Sequence, residues 1–243
     1  MKTRIRFSVL ITILLISLDL FSMSTEEITG EVFKKDSSRK ELLYKFKNII
    51  QTDDKNLTVS DAQFLDLDSK VVVKETSHRQ GSKLVKYEME HLQTNRKGSI
   101  VVDNGNILFN LEENGKKKSV ETEKLKDNFV VGHTLLPYVS EHWKEIMDGK
   151  TIDIQFGVWD RQETVGFSLF KIGQEKLNEQ DVILLKFKPT SFVISALVDP
   201  VIFKFSMDGK QLEGMIGRVV PKKKDGEKWK DLDAEVIYKS IKK

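Results

Sequence analysis

A mainly β fold, built as a single antiparallel half-barrel or barrel-like sheet with one or two short helices against its concave face, is the class this sequence predicts. Three observations carry that prediction. About a dozen segments alternate apolar and polar residues at the strand period, with turn signals roughly every 8–12 residues. Helical periodicity is confined to two short stretches, and no strand–helix–strand rhythm is visible. The chain of 243 residues has no cysteine and only four prolines, with no internal repeat, low-complexity tract or flexible linker, which reads as one continuous domain.

The N-terminus has the plan of an export signal. Lys2, Arg4 and Arg6 precede an apolar run from Phe7 to Leu18, and Ser22, Met23 and Ser24 supply a small-residue exit. Asp19 interrupts the run well short of the about 20 apolar residues that a spanning helix needs. Residues 1–24 are therefore expected to be a cleaved signal, with cleavage after Ser22 or Ser24, and residues 25–243 the mature domain. No later apolar stretch approaches membrane length. Removing 1–24 takes away three bases and one acid, which leaves 37 bases against 36 acids. Such balance argues against a nucleic-acid partner, which calls for a one-sided basic face. The local cluster Lys222, Lys223 and Lys224 has turn composition and reads as a solvated hairpin tip.

Taken in order, Ser24 to Glu27 reads as a polar leader and Thr29 to Lys35 as the first strand. Leu42, Tyr44 and Phe46 form a second, and Leu57 to Phe64, Val71 to Thr76 and Leu84 to His91 follow the same plan. Asn104-Gly105 lies between alternating runs, the strongest short-range sign of a two-residue hairpin, because both turn positions need positive φ. Asn114-Gly115 repeats the signal. Glu121 to Asn128 reads as a charged connector.

The stretch from His133 to Lys171 is the centre of the chain. Leu136, Val139, Trp143, Ile146 and Met147 recur at spacings of three and four, predicting one helix from Leu136 to Met147, with Pro137 in its first turn and Gly149 as its stop. Ile152, Ile154, Phe156 and Val158 then alternate at period two. After the corner Asp160 to Thr164, Val165, Phe167 and Leu169 do the same, and Gly173 to Gln180 reads as a long turn. Ile183, Leu185 and Phe187 face inward on the next strand. Thr190 or Ser191 is placed to cap a short apolar helix from Phe192 to Val198, which Asp199-Pro200 ends. Val201, Phe203 and Phe205, then Gln211 to Val220, then Ala234, Val236 and Tyr238 complete the sheet.

Catalytic motifs are lacking. There is no G-x-S-x-G, no S-x-x-K and no glycine-rich phosphate loop, and cysteine chemistry is ruled out. His78, His91, His133 and His142 do not have zinc-ligand spacing, so no metal, cofactor or catalytic residue is assigned. The apolar strand faces are more informative. Too little helix is present to cover them, and the groove under the helices is suited to a lipid or other hydrophobic small molecule. Its candidate lining is Leu136, Val139, Trp143, Phe156, Val158, Phe167, Phe192 and Phe203. Two other readings stand beside this one: an envelope interaction protein with a filled core, and a hydrolase using Asp160, Arg161 and Glu163 with a histidine.

YVSEHWKEIMDGKTIDIQFGVWDRQETVGFSL, with Ser191-Phe192 and VDPVIFKFSMDGK, resembles an uncharacterised family of exported bacterial β-rich proteins. That resemblance implies the architecture of the lipoprotein-carrier half-barrels of the bacterial envelope, an open antiparallel sheet wrapped around short helices. It implies a periplasmic or surface location, and supplies no catalytic residues.

Overall fold

The computed structural model describes residues 23–196 and 198–242, so the expected signal at 1–24 falls, all but its last two residues, outside the described residues. A first antiparallel meander consists of β1 (Ser24–Lys34), β2 (Leu42–Thr52), β3 (Leu57–Leu65), β4 (Val71–Gln80), β5 (Lys83–His91), β6 (Arg96–Asp103) and β7 (Asn106–Glu113). The short β8 (Lys116–Lys117) and β9 (Glu121–Lys124) both pair with β7. Next come β10 (Phe129–Val130), α1 (Gly132–Glu141) and α2 (Trp143–Met147). The second meander holds β11 (Ile152–Val158), β12 (Glu163–Leu177), β13 (Gln180–Pro189), β14 (Val201–Ser206), β15 (Leu212–Asp225) and β16 (Lys228–Lys242), with α3 (Phe192–Ser195) between β13 and β14.

The last strand pairs with the first. β16 runs antiparallel to β1 from Glu26↔Lys242 to Lys34↔Ala234, joining the two meanders into one sheet of 16 strands that stays unclosed. All pairings are antiparallel except β10 with β11, where Phe129 sits opposite Gln155 across the crossover that contains α1 and α2. Turn chemistry sets the registers. Asn104 and Gly105 have φ of 46° and 73°, as the two-residue hairpin between β6 and β7 requires. At two other turns an aspartate folds the chain back: Asp53 accepts from the backbone of Lys55 and Leu57, and Asp66 from that of Asp68 and Lys70.

The free edges of the curled sheet meet through side chains. Gln162 Nε2 donates to Phe109 O at 3.2 Å and to Ser119 O at 2.7 Å. The Glu123 carboxylate on β9 accepts from the backbone and the hydroxyl of Thr164. Gly98 leaves room for the Trp159 ring, which would lie 2.5 Å from a Cβ at that position. Two apolar clusters fill the interior beneath. One lies among the strands of the first meander around Val73, Ile100 and Phe109, and the other packs α1 and α2 onto β11 to β14 through Val139, Ile146, Ile154, Leu169 and Leu185.

Several elements differ from expectation. Ser24 to Glu27 is no leader, since these residues open β1 and pair with β2 from Ser24↔Thr52 onward. Part of the 121–128 connector is β9, recruited by the exposed edge of β7. The predicted Gly173–Gln180 loop is strand almost throughout, turning only at Asn178 and Glu179, both at positive φ. That hairpin bends over the outer face, where Leu177 meets Val182 and Ile237. There Lys204, 5% exposed, reaches Glu175 at 2.9 Å and Glu235 at 3.6 Å.

Instead of one helix at 136–147 there are two. α1 starts at Gly132 because Thr134 Oγ1 accepts from the Val131 N–H, and the helix breaks at His142, whose ψ of 9° turns the chain. Pro137 therefore falls in the second turn rather than the first. α3 is one turn capped by Ser191 and buries none of its residues, so it does not cover the concave face. Its apolar residues are short of a partner surface, with Phe192 87% and Val193 69% exposed.

The approach of α2 to the sheet generates a stability prediction. Gly209 has φ of +71°, and a Cβ there would lie 2.2 Å from the Trp143 ring, whereas Gly105 at +73° has nothing within 4 Å. Gly209→Ala is expected to cost roughly 2–5 kcal/mol, left-handed strain plus overpacking, and Gly105→Ala only about 1–2 kcal/mol. Urea midpoints of the two variants measure the difference; equal values would show that Trp143 does not pack against this turn.

Candidate ligand cavity

Strand alternation aims one face of both meanders at the interior, and α1 fills only part of the enclosed space. What is left is a cavity of about 850 Å³ between α1 and the opposite wall. Its apolar wall is a run of phenylalanines at diagonal positions on consecutive strands. Phe167 and Phe187 stack face to face with centroids 4.1 Å apart, Phe156 stands edge-on to both, and Phe203 follows 5.8 Å from Phe187. Offset and edge-to-face contacts of this kind add to what area burial alone contributes. Across the cavity, Phe46 lies 4.9 Å from Phe64 and 5.6 Å from Tyr238.

Polar groups break this wall at a few fixed points. Glu75 on β4 is 6% exposed, and its carboxylate accepts from Tyr87 Oη at 3.0 Å. His133 Nε2 lies 3.1 Å from the same carboxylate, while its Nδ1 meets Ser77 Oγ at 2.9 Å. Burial and the neighbouring Glu75 charge hold the Tyr87 phenol well above its ordinary pKa, so it remains a proton donor to the carboxylate. Burial likewise raises the Tyr238 hydroxyl. The chain Ser77–His133–Glu75 has the residue types of a nucleophilic triad. Ser77, however, is fully buried behind His133 and does not line the cavity, so these bonds pin α1 to β4.

Two further bonds pin the other end of the helix. Ser140 Oγ donates to Gly209 O at 2.7 Å, and Glu141 accepts from Ser82 Oγ at 2.5 Å. Near the opposite end of the strands, Arg96 lies over the Trp159 ring and donates to the carboxylate and carbonyl of Asp160. His91, 2% exposed, bonds Val220 O through Nε2 and Thr94 through Nδ1. Arg161 and Glu163 pair with each other at 2.5 Å on the surface, apart from Asp160 in the cavity wall. Among the described residues, no three His, Asp or Glu side chains converge as metal ligands.

Of the residues singled out from the sequence, Leu136, Phe156, Val158, Phe167 and Phe203 line the cavity. Val139 does not, being wholly enclosed in the cluster between α1 and the second meander, and Trp143 is packed on Phe205 and Gly209. Phe192 is on the surface. The first meander's contribution, Glu75, Tyr87, Arg79 and Phe46, was missed, as was Tyr238 beside it on β16. Its one sequence signal is parity: Glu75 stands in phase with Val73, an acid on the inward side of a strand.

The geometry defines a class, a barrel-like antiparallel sheet curled around an internal helix and a hollow interior. The chain is similar in fold to the β-barrel-like protein of domain of unknown function DUF1849 from Brucella abortus. The TM-score is 0.56 over 90% of this chain and 96% of that one, at 10% identity, which makes the likeness one of fold alone. A domain provisionally described as an outer membrane lipoprotein-sorting protein, from Vibrio parahaemolyticus, covers 90% of this chain and 85% of its own at 9% identity. Its TM-score of 0.23 carries no argument. No family model and no curated protein matches the sequence.

Two predictions come from the buried polar groups. His133→Ala removes a donor from a buried carboxylate and is expected to cost about 2–3 kcal/mol. Combined with Glu75→Gln, the loss should be less than additive by roughly 1 kcal/mol, read from a double-mutant cycle in urea; strict additivity would show the two side chains to be uncoupled. Burial lowers the His91 pKa below 6.5. Above 6.5 the imidazole is neutral in both states. As pH falls through that value the unfolded chain binds a proton that the fold refuses, so stability drops with acidification. His91→Gln should flatten this slope below pH 6.5 even if it is less stable overall, and an unchanged slope would assign the acid sensitivity elsewhere.

Proposed function

We propose that this protein is a non-catalytic binder of a lipid or other hydrophobic ligand, working in the bacterial envelope after export. The observation that carries the reading is the hollow behind the phenylalanine wall. The cavity, about 850 Å³ in volume, opens to solvent on one side, so the fold does not hold it as a sealed dry void. The space therefore holds solvent or a guest, and stacked aromatic rings favour an apolar guest over water. Leu136, Phe156, Val158, Phe167 and Phe203 are its proposed apolar contacts. Glu75, Tyr87 and His133 set one hydrogen-bonding point in the wall, as sites for amphipathic molecules do. The volume disfavours a filled-core scaffold. Export rests on the basic and apolar N-terminal pattern of residues 1–24.

Displacement of a fluorescent fatty acid, together with native mass spectrometry of the purified chain, tests the proposal. Leu136→Trp projects extra volume into the cavity and is expected to weaken probe binding about tenfold or more while moving the urea midpoint little. Absence of both co-purified lipid and probe binding in the parent protein would remove the reading.

A further inference from the structure

The apolar residues of α3 lie on the surface rather than over the cavity, and their position in the fold suggests a role. Strands β13, β14, β15, β16, β1 and β2 are consecutive antiparallel neighbours, so the connections β13–β14, β15–β16 and β1–β2 all emerge at one end of the sheet. Phe192 and Val193 stand out from the first of these, 87% and 69% exposed, and Trp229 is 39% exposed on the second. The same three stretches, residues 34–41, 186–200 and 222–231, hold eleven lysines and arginines against six acids. Lys40, Lys188, Lys223 and Lys228 have no acidic partner among the described residues, whereas Lys222 and Lys230 are paired with Asp231 and Asp225. A few residues beyond Phe192, Val198 and Asp199 line the cavity, and Asp199 reaches Lys35 across this end at 3.6 Å.

We infer that this end of the barrel docks on an anionic lipid surface. Phe192 and Val193 enter the interfacial region, and the unpaired lysines lie at headgroup level. An exposed Phe-Val tip flanked by basic residues is the composition that binds peripherally to negatively charged bilayers, the apolar side chains supplying depth and the lysines a salt-sensitive attraction. Read alone, Lys222 to Lys224 is a solvated hairpin tip. What changes the reading is the apolar turn at the same end, since bulk solvent gives no reason for two large adjacent hydrophobes to stand out. Docked in this way, the protein would turn the loop that borders the cavity toward the membrane. The inference extends the ligand-binding reading without depending on it.

The test is vesicle flotation with the chain from Met23 onward, which contains all sixteen strands and leaves out an apolar N-terminal segment that would itself bind lipid. Binding is expected to vesicles of phosphatidylglycerol in phosphatidylcholine and not to phosphatidylcholine alone, and to fall steeply with added salt. Phe192→Asp with Val193→Asp, and separately Lys223→Glu with Lys224→Glu, should each weaken it about tenfold. All four side chains are exposed, so the circular dichroism spectrum and urea midpoint should match the parent. The fluorescent fatty-acid probe should still bind both variants. Probe binding lost from every form with vesicle binding intact would sink the cavity reading and leave docking standing. A parent that ignores anionic vesicles, or variants that bind like the parent, would overturn the docking proposal. So would self-association in gel filtration that the Phe192→Asp, Val193→Asp variant abolishes in a parent with no vesicle affinity, since the patch would then join two copies.

Discussion

Everything in this molecule depends on the ladder between β16 and β1. These strands lie at opposite ends of the described chain, yet they are in register from Glu26↔Lys242 to Lys34↔Ala234. Without that ladder the chain would be two separate meanders, each with an apolar face and only the short α1 and α2 to cover both. With it, the curl becomes continuous and each meander shields the other. Contacts so distant in sequence are costly in loop entropy, so the ladder is expected to form late in folding, after the local hairpins.

The enclosed space is governed by a mismatch of scale. A sheet of sixteen strands curls to a girth that a ten-residue helix cannot fill. α1 packs on the second meander, where Ser140 ties it, and reaches the first through His133 and Glu141, so it bridges the two and leaves the space beside it hollow. Polar ties suit this position because an apolar helix face alone would slide along a smooth aromatic wall. Hydrogen bonds of fixed direction give the helix one seat.

Much of this was legible in the sequence, and the failures are physical. Alternation at Ile152 to Val158 and Val201 to Phe205, and the Asn104-Gly105 hairpin, marked strands and turns because those signals are local. Leu136, Phe156 and Phe203 were found since their neighbours in sequence are also their neighbours in phase. The polar side of the cavity was not, because Ser77 and His133 meet across 56 positions and no spacing rule anticipates that contact. Helical periodicity ran through His142 without showing the break. Phe192 was placed inside on its hydrophobicity alone, whereas Ser191 caps a single turn that has no surface to cover. The likeness to the Brucella abortus barrel-like protein at 10% identity shows the same limit: a curl set by alternation and turns survives when few individual residues are shared.

The side-chain seam at Gln162 and Glu123 has a mechanical consequence. Strands elsewhere in the wall are laced by backbone ladders, but this one longitudinal join is fastened by the side chains of Gln162, Glu123 and Arg96 and the lodging of Trp159 on Gly98. The wall is thus stiff everywhere but along one line. Like a split ring, it can widen there by parting a handful of bonds while every ladder stays intact, so its circumference is adjustable along that line alone.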